Sequence, residues 1–422
     1  MTDPGKQSCR PPAANRPRLA FVCPRLHEEG TVGGAETLIY SLAKGAAAAG
    51  CRTTFLTTCA RNHFTWVNDL PPGEFERDGL TVRRFEVNTD RDTETFLRLQ
   101  AAICRDEHLS DAQEVEWLRQ SVNSATLIDY LQQQQAEFDH IIAGPYLFGL
   151  VEAVSRVAPT KTLLIPCLHD EAFARVRQIG AMFARVRGCL FNTAPERDLA
   201  HRLYPAFAPQ VETVVAMGIE PFEADASAFA RQHQLTAPYV LYSGRREPLK
   251  GTPLLIDYLD TFRQRTGRDL RLVLTGSGEV ELPPSMRAAT LDRGFVSEEE
   301  KRNAMAGAVA FCHPSVNESL GIVLIEAWLA GTPALVHAKG EVLRSQCRLA
   351  QGGLWFRDYP EFEEALLLLL DQPELRRALG ANGRDFALRT YAPAAVTERF
   401  LAALEGGPGR QQTGAAAQTT SG

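Results

Sequence analysis

Short apolar runs with the look of buried strands recur along this chain, and each is followed by a stretch of helical periodicity before the next begins. RLAFVCP (18–24) leads into a glycine-containing loop. A helical pattern follows, with Leu38, Ile39, Leu42 and Ala46 on one face and Gly50 as a stop. Further runs are RTTFLTT (52–58), LTVRRFEV (80–87), DHIIAGP (139–145), KTLLIPCLH (161–169), GCLFNT (188–193) and VETVVAM (211–217). Such alternation predicts a parallel sheet, because parallel neighbours need long crossovers and both sheet faces need a helical cover. The pattern pauses at 218–235 and restarts with YVLYSGR (239–245), LRLVLTG (270–276), VAFCHP (309–314) and PALVHA (333–338).

Two Rossmann-like halves account for this, a first domain over 17–217 and a second over 218–391. A last helix, 392–404, is expected to cross back to the first domain. Polar, helix-prone sequence at 90–135 reads as a helical insertion in the first domain. Residues 1–16 and 405–422 lack apolar periodicity and read as disordered tails.

Composition narrows the class. Apolar residues at 45% and charged residues at 23% of 422 exclude general disorder. The aliphatic run at 365–370 is far shorter than the ~20 residues that cross a bilayer, and the first twenty residues lack the apolar segment of a signal peptide. A cytoplasmic location is expected, with peripheral contact at the inner face of a membrane left open. Nine cysteines, scattered and never spaced CxxC, indicate neither a disulfide framework nor a zinc site. Cys23, Cys167, Cys189 and Cys312 fall in or beside strands, as small buried hydrophobes do. A net charge of -6 argues against a nucleic-acid binder. In the stretch 171–188, Arg175, Arg177, Arg185 and Arg187 point in four directions on a helix, which reads as a solvated helix, with an anionic-surface site as the alternative.

Three common nucleotide and hydrolase motifs fail. Gly276-Ser277-Gly278 is continued by Glu281 where a dinucleotide fingerprint needs glycine, and Gly30, Gly33 and Gly34 are also misplaced. GRREPLKGT inverts the Lys–Gly order of a Walker loop, and GxSxG is absent. What remains lies after strands of the second half, the edge where open α/β sheets bind ligands. GRREPLKG supplies Gly244, Arg245 and Lys250, and TGSGE supplies Gly276 and Gly278. HPSVNESLGIVLIEAWLAGTP (313–333) places Glu318 in a loop and Glu326 about two turns into a helix opening at Gly321.

Taken in order, Gly33-Gly34-Ala35-Glu36, the CLHDE segment around His169, GRREPLKG, GSGE and the pair Glu318/Glu326 resemble the retaining glycosyltransferases of family 4, over roughly residues 18–404. The resemblance implies an α/β fold of GT-B type, two Rossmann-like domains facing each other across a deep cleft. It implies a second domain that binds a nucleotide-sugar donor, a UDP- or GDP-sugar, and a first domain that presents a glycan, lipid-linked or other glycoconjugate acceptor. No metal or other cofactor is expected. Arg245 and Lys250 would bind the diphosphate, Glu326 the ribose hydroxyls, and Glu318 hydroxyls of the sugar, with the backbone of Ser319, Leu320 and Gly321 nearby. His169 would stand by the reacting sugar.

These roles fit the chemistry. Breaking the bond from the anomeric carbon to a phosphate oxygen builds negative charge on the leaving diphosphate, which cations and oriented N–H groups stabilise. Gly33-Gly34 would add close backbone approach from the opposite domain. Asp170 is a further candidate. Glu36 suits a helix first turn, Trp328 suits packing, and His313 and His337 are weaker candidates than His169. Other readings are a different GT-B reaction, such as epimerisation, or a sugar-nucleotide-binding subunit without turnover.

Overall fold

β1 (Arg18–Val22) is buried along nearly its whole length because it is hydrogen-bonded on both sides, to β2 (Arg52–Thr58) and β5 (His140–Ala143), and covered on both faces. It lies at the centre of the first sheet of a computed structural model that describes residues 16–26 and 33–406. The other strands of that sheet are β3 (Gly73–Arg77), β4 (Leu80–Phe85), β6 (Thr162–Leu164), β7 (Gly188–Phe191) and β8 (Val211–Val214), in the order β3-β4-β2-β1-β5-β6-β7-β8. The second sheet has the order β11-β10-β9-β12-β13-β14. Its strands are β9 (Tyr239–Ser243), β10 (Arg271–Thr275), β11 (Thr290–Gly294), β12 (Ala310–His313), β13 (Ala334–His337) and β14 (Gly353–Phe356).

In each sheet the chain runs outward from a central strand, then returns to that strand's other side and runs the opposite way. The reversals fall between β1 and β5 and between β9 and β12. Loops at such switch points open a crevice at the carboxyl ends of the strands.

Two sequence expectations need correction. The first sheet is not wholly parallel: β3, GEFER, pairs antiparallel with β4 in a hairpin at the sheet edge. Segment 171–188 is not a solvated helix but a 3-10 turn followed by the amphipathic helix Arg177–Arg185, which buries Ile179, Met182 and Phe183. Arg177 of that helix ion-pairs with Glu114 at 3.1 Å and Arg185 with Glu152 at 3.1 Å.

Segment 90–135 forms the helices Thr93–Cys104, Asp111–Gln120 and Ala125–Gln134, capped by the side chains of Asp92, Ser110 and Ser124. Trp117 anchors them, buried and stacked between Phe96 and Phe173. The chain passes between the domains twice, side by side: the Ile219 N–H donates to the Tyr391 carbonyl at 2.8 Å. Helix Pro393–Leu404 then packs on the first domain, with Phe400 5.8 Å from Phe21 and Arg399 donating to the Val215 carbonyl. Cys23, Cys167, Cys189 and Cys312 are buried. None of the described helices is long and apolar enough to cross a membrane. The tails read as disordered, 1–16 and 405–422, lie outside the described residues except for positions 16, 405 and 406.

Candidate active site

At the β9/β12 switch point the loop after β9 begins at Gly244, whose φ of 145° lies outside the range other residues favour. The next two residues, both arginines, diverge. Arg246 turns inward and donates to the carbonyls of Gly276 and Gly278 and to Asp292, fixing one glycine turn against the other. A side chain on Gly276 would meet the Gly244 carbonyl oxygen at 2.2 Å, so these glycines serve close packing of two backbones. Arg245 turns outward, exposed and 3.1 Å from Glu247.

Lys250, at the end of the same loop, places Nζ 2.6 Å from Glu318 Oε1. The loop after β12 delivers Glu318, and His313, the last residue of that strand, reaches the same oxygen with Nε2 at 3.2 Å. Burial opposes charge on Glu318, yet the His313 hydrogen bond and the nearby Lys250 outweigh it and hold the carboxyl well below its usual range. His313 is thus part of the site, where the sequence ranked it behind His169. His337 is instead packed against Phe356 and accepts from the Lys339 N–H.

Helix Ile322–Leu329 starts behind Gly321, a residue at φ 77° where a side chain would strike Leu343. Glu326 is therefore little more than one turn along the helix rather than two, one turn beyond Ile322 on the same face. Its Oε1 lies 3.0 Å from Lys301 Nζ. Burial holds its carboxyl above the ordinary value, and Lys301 offsets only part of that rise. The Leu324 and Ile325 amides donate back to the Gly321 carbonyl, whereas those of Ile322 and Val323 open the helix with no acceptor within it, just beyond Glu318, Ser319 and Leu320.

Across the crevice, the helix Gly34–Ala48 begins at the β1/β5 switch point. A side chain on Gly34 would touch Ile322 Cδ1 at 3.6 Å, so the two helix N-termini meet end to end. Glu36 is buried in an ion pair with Arg25, which also donates to the Arg61 carbonyl. Thr193, after β7, donates its hydroxyl to the Ser319 carbonyl at 3.1 Å, a second bridge between domains. His169 follows β6 and is partly exposed. Burial lowers its ring, outweighing the opposing pull of Glu171 and Glu318. Asp170 turns to Arg175. A cavity of about 250 Å³ lies between the domains, and His169, Asp170, Glu196, Asn317, Glu318 and Lys339 are among its lining residues.

His169, Lys250 and Glu318 are thus together with Arg245 at one end of the crevice, and Glu326 stands further along the facing helix. Sequence reasoning missed Glu196 and Lys301. Glu196 is buried, its two oxygens taking the N–H groups of Leu168 at 2.7 Å and Asn192 at 2.6 Å. That ties the loop carrying His169 to the end of β7. Burial pushes this carboxyl up to about 8, while the two amides favour its charged form. The Thr193-x-x-Glu196 spacing signals a helix start, but nothing in it shows where the carboxylate goes.

Residues 224–386 match the family described as glycosyl transferases group 1. The phosphatidyl-myo-inositol mannosyltransferase of Mycobacterium leprae is 32% identical over 174 residues, 39% of this chain and 46% of that protein. The D-inositol 3-phosphate glycosyltransferase of Jonesia denitrificans is 30% identical over 262 residues, 56% of this chain and 62% of that protein. The chain thus spans about half to three fifths of the length of these curated relatives. Among solved structures, Anabaena HepE in complex with UDP-glucose superimposes with a TM-score of 0.67 at 16% identity, covering 92% of this chain and 100% of that one. The second domain of this chain is thus similar to the glycosyl transferases group 1 family, and the chain as a whole has a GT-B fold.

Proposed function

We propose that the protein transfers a sugar from a nucleotide-sugar donor to a glycan, lipid-linked or other glycoconjugate acceptor, with retention and without a metal. The observation that carries this reading is the Lys250–Glu318–His313 cluster at a sheet switch point, facing His169 across the crevice. Arg245 and Lys250 supply positive charge for the departing diphosphate, and the first-turn amides of helix Ile322–Leu329 add to it. Glu318, held as an anion, accepts hydrogen bonds from sugar hydroxyls. Glu326 takes the ribose hydroxyls, and Gly33 and Gly34 close the crevice from the acceptor domain.

In the transfer, the bond from the anomeric carbon to the phosphate oxygen breaks and an acceptor hydroxyl oxygen attacks from the same face. The hydroxyl proton passes to the phosphate oxygen that leaves. No side chain needs to form a bond to the sugar. Relatives named for inositol-based acceptors and a neighbour solved with UDP-glucose support this donor and acceptor class. Peripheral work at the inner face of a membrane is part of the proposal.

The experiment is incubation with UDP- and GDP-sugars and a panel of glycan and lipid-linked acceptors, in EDTA, with NMR of the product. Free nucleoside diphosphate and an enlarged acceptor with the donor's anomeric configuration are expected. An inverted product, or a strict need for divalent metal, overturns the mechanism. Nucleotide-sugar binding without any product overturns the enzyme reading.

A further inference from the structure

Lys301 belongs to a segment, SEEEKR, that looks like the solvated first turn of a helix, and it does lie on helix Glu298–Gly307. Its side chain is nonetheless only 17% exposed, and its ammonium stands between two carboxylates, 3.0 Å from Glu326 Oε1 and 2.9 Å from Glu298 Oε2. Glu326 Oε2 is buried and has no hydrogen-bond partner among the described residues. An unsatisfied buried carboxylate oxygen is costly, by more than a neutral acceptor would be, and such a group in a binding crevice is completed when a donor group arrives.

The direction in which that oxygen is offered follows from the helix. Within Ile322–Leu329 the residues not fully buried are Ile322, Val323 and Glu326, a single face. Ile322, on that face, meets Gly34 of the opposite domain. Glu326 therefore stands on the crevice side, one turn deeper than the contact between domains. Lys301 approaches from the neighbouring helix and engages the other oxygen.

We propose that Lys301 is a positioning residue for donor recognition: by holding Oε1 of Glu326, it commits Oε2 to a hydroxyl of the donor's ribose. This rests on the nucleotide-sugar reading above. The lysine's charge also opposes the proton uptake that burial favours at this carboxylate. Glu298, exposed at the surface, steadies the ammonium from the far side.

The test uses the full chain and calorimetric titration with UDP and GDP, each beside its 2′-deoxy and 3′-deoxy counterpart. The wild type is expected to favour the ribose form of whichever nucleotide it binds by about tenfold or more, the usual loss when a hydrogen bond to a charged group is removed. In Lys301→Met that preference should fall to within about twofold while affinity for the deoxy form stays unchanged, and Lys301→Arg should restore part of it. A lysine that merely stapled two helices would weaken ribose and deoxy forms alike. Should Lys301→Met fail to fold, Lys301→Gln reads the same ratio with a side chain of similar length. An undiminished ribose preference in these variants, or no preference in a wild type that binds UDP or GDP, overturns the Lys301 proposal and leaves the nucleotide reading standing. A wild type that binds neither nucleotide overturns the nucleotide reading itself.

Discussion

Lys250 Nζ and Glu318 Oε1 lie 2.6 Å apart, so the cation assigned to the diphosphate and the carboxylate assigned to the sugar form one ion pair before any ligand arrives. Lys250 helps hold Glu318 as an anion, and a diphosphate entering beside Lys250 competes for it while His313 retains Glu318. Lys250→Ala is expected to lower kcat/KM by roughly 10² or more, as removal of transition-state charge stabilisation does. It should also lower thermal stability, because a shielded carboxylate loses its counter-ion. Adding Glu318→Gln should recover much of the stability and none of the activity. A double variant that regains turnover would remove the diphosphate role.

Arg245 and Arg246 are neighbours in sequence with opposite assignments. Arg246 is buried on three acceptors, two of them carbonyls of the Gly276–Gly278 turn, whereas Arg245 is exposed at the crevice. Arg246→Ala should therefore destabilise the fold by about 2–4 kcal/mol, the range for stranding buried polar partners. Arg245→Ala should leave the melting temperature almost unchanged and lower turnover about 10²-fold. Thermal denaturation and initial rates on both variants separate the two, and an inert Arg245→Ala would withdraw that residue from the site.

How far the sequence speaks for itself can be judged from these same elements. β2 is read to its ends because Phe55, Leu56 and their threonine neighbours are strand-formers in a covered sheet. β3 (GEFER) and β11 (TLDRG) escape notice because they lie at sheet edges, where one flank is open and polar residues cost little. Glycines and basic residues after strands are legible, since turns and ligand edges demand them. Lys301 and Glu196 are not. Both sit on helices in charged stretches that read as surface, and only tertiary packing shows that their charged ends turn inward to Glu326 and to backbone amides. Arg246 fails to stand out for a related reason: nothing in GRREPLKG says which arginine the turn of Gly276–Gly278 will bury.

His169 carries the pH prediction. Its ring is held below the ordinary value of 6.5, chiefly by burial, with Lys250 and Arg245 pushing the same way. It is therefore neutral at pH 7, and protonation would put a third positive charge beside Lys250 and Arg245 in the crevice. Activity should stay level from neutral pH down past 6.5 and decline only below it, as the folded protein takes up a proton the unfolded chain would already have bound. The same difference makes stability rise with pH across that interval. A pH–rate profile of His169→Gln should lack this limb, whatever its maximum rate. A limb of unchanged position in that variant would assign the titration elsewhere.

Gly33 has φ -138° and ψ 125°, an extended conformation open to any residue, so its backbone does not require glycine. Space does. A Cβ there would stand 1.9 Å from Glu36 Oε2, and Glu36 cannot swing aside freely because Arg25 holds its carboxylate in a buried ion pair. Gly33→Ala should consequently cost about 1–3 kcal/mol, the range for overpacking a filled site, and displace the turn that opens helix Gly34–Ala48. Since Gly34 abuts Ile322, the displacement should reach the contact between domains and raise KM for the donor. In a Glu36→Ala background the same change meets no carboxylate and should be nearly neutral. The coupling energy of this double-mutant cycle, measured by denaturant unfolding, should then account for most of the single-variant loss. Additive effects would mean that Gly33 is needed for a reason other than the room Glu36 takes.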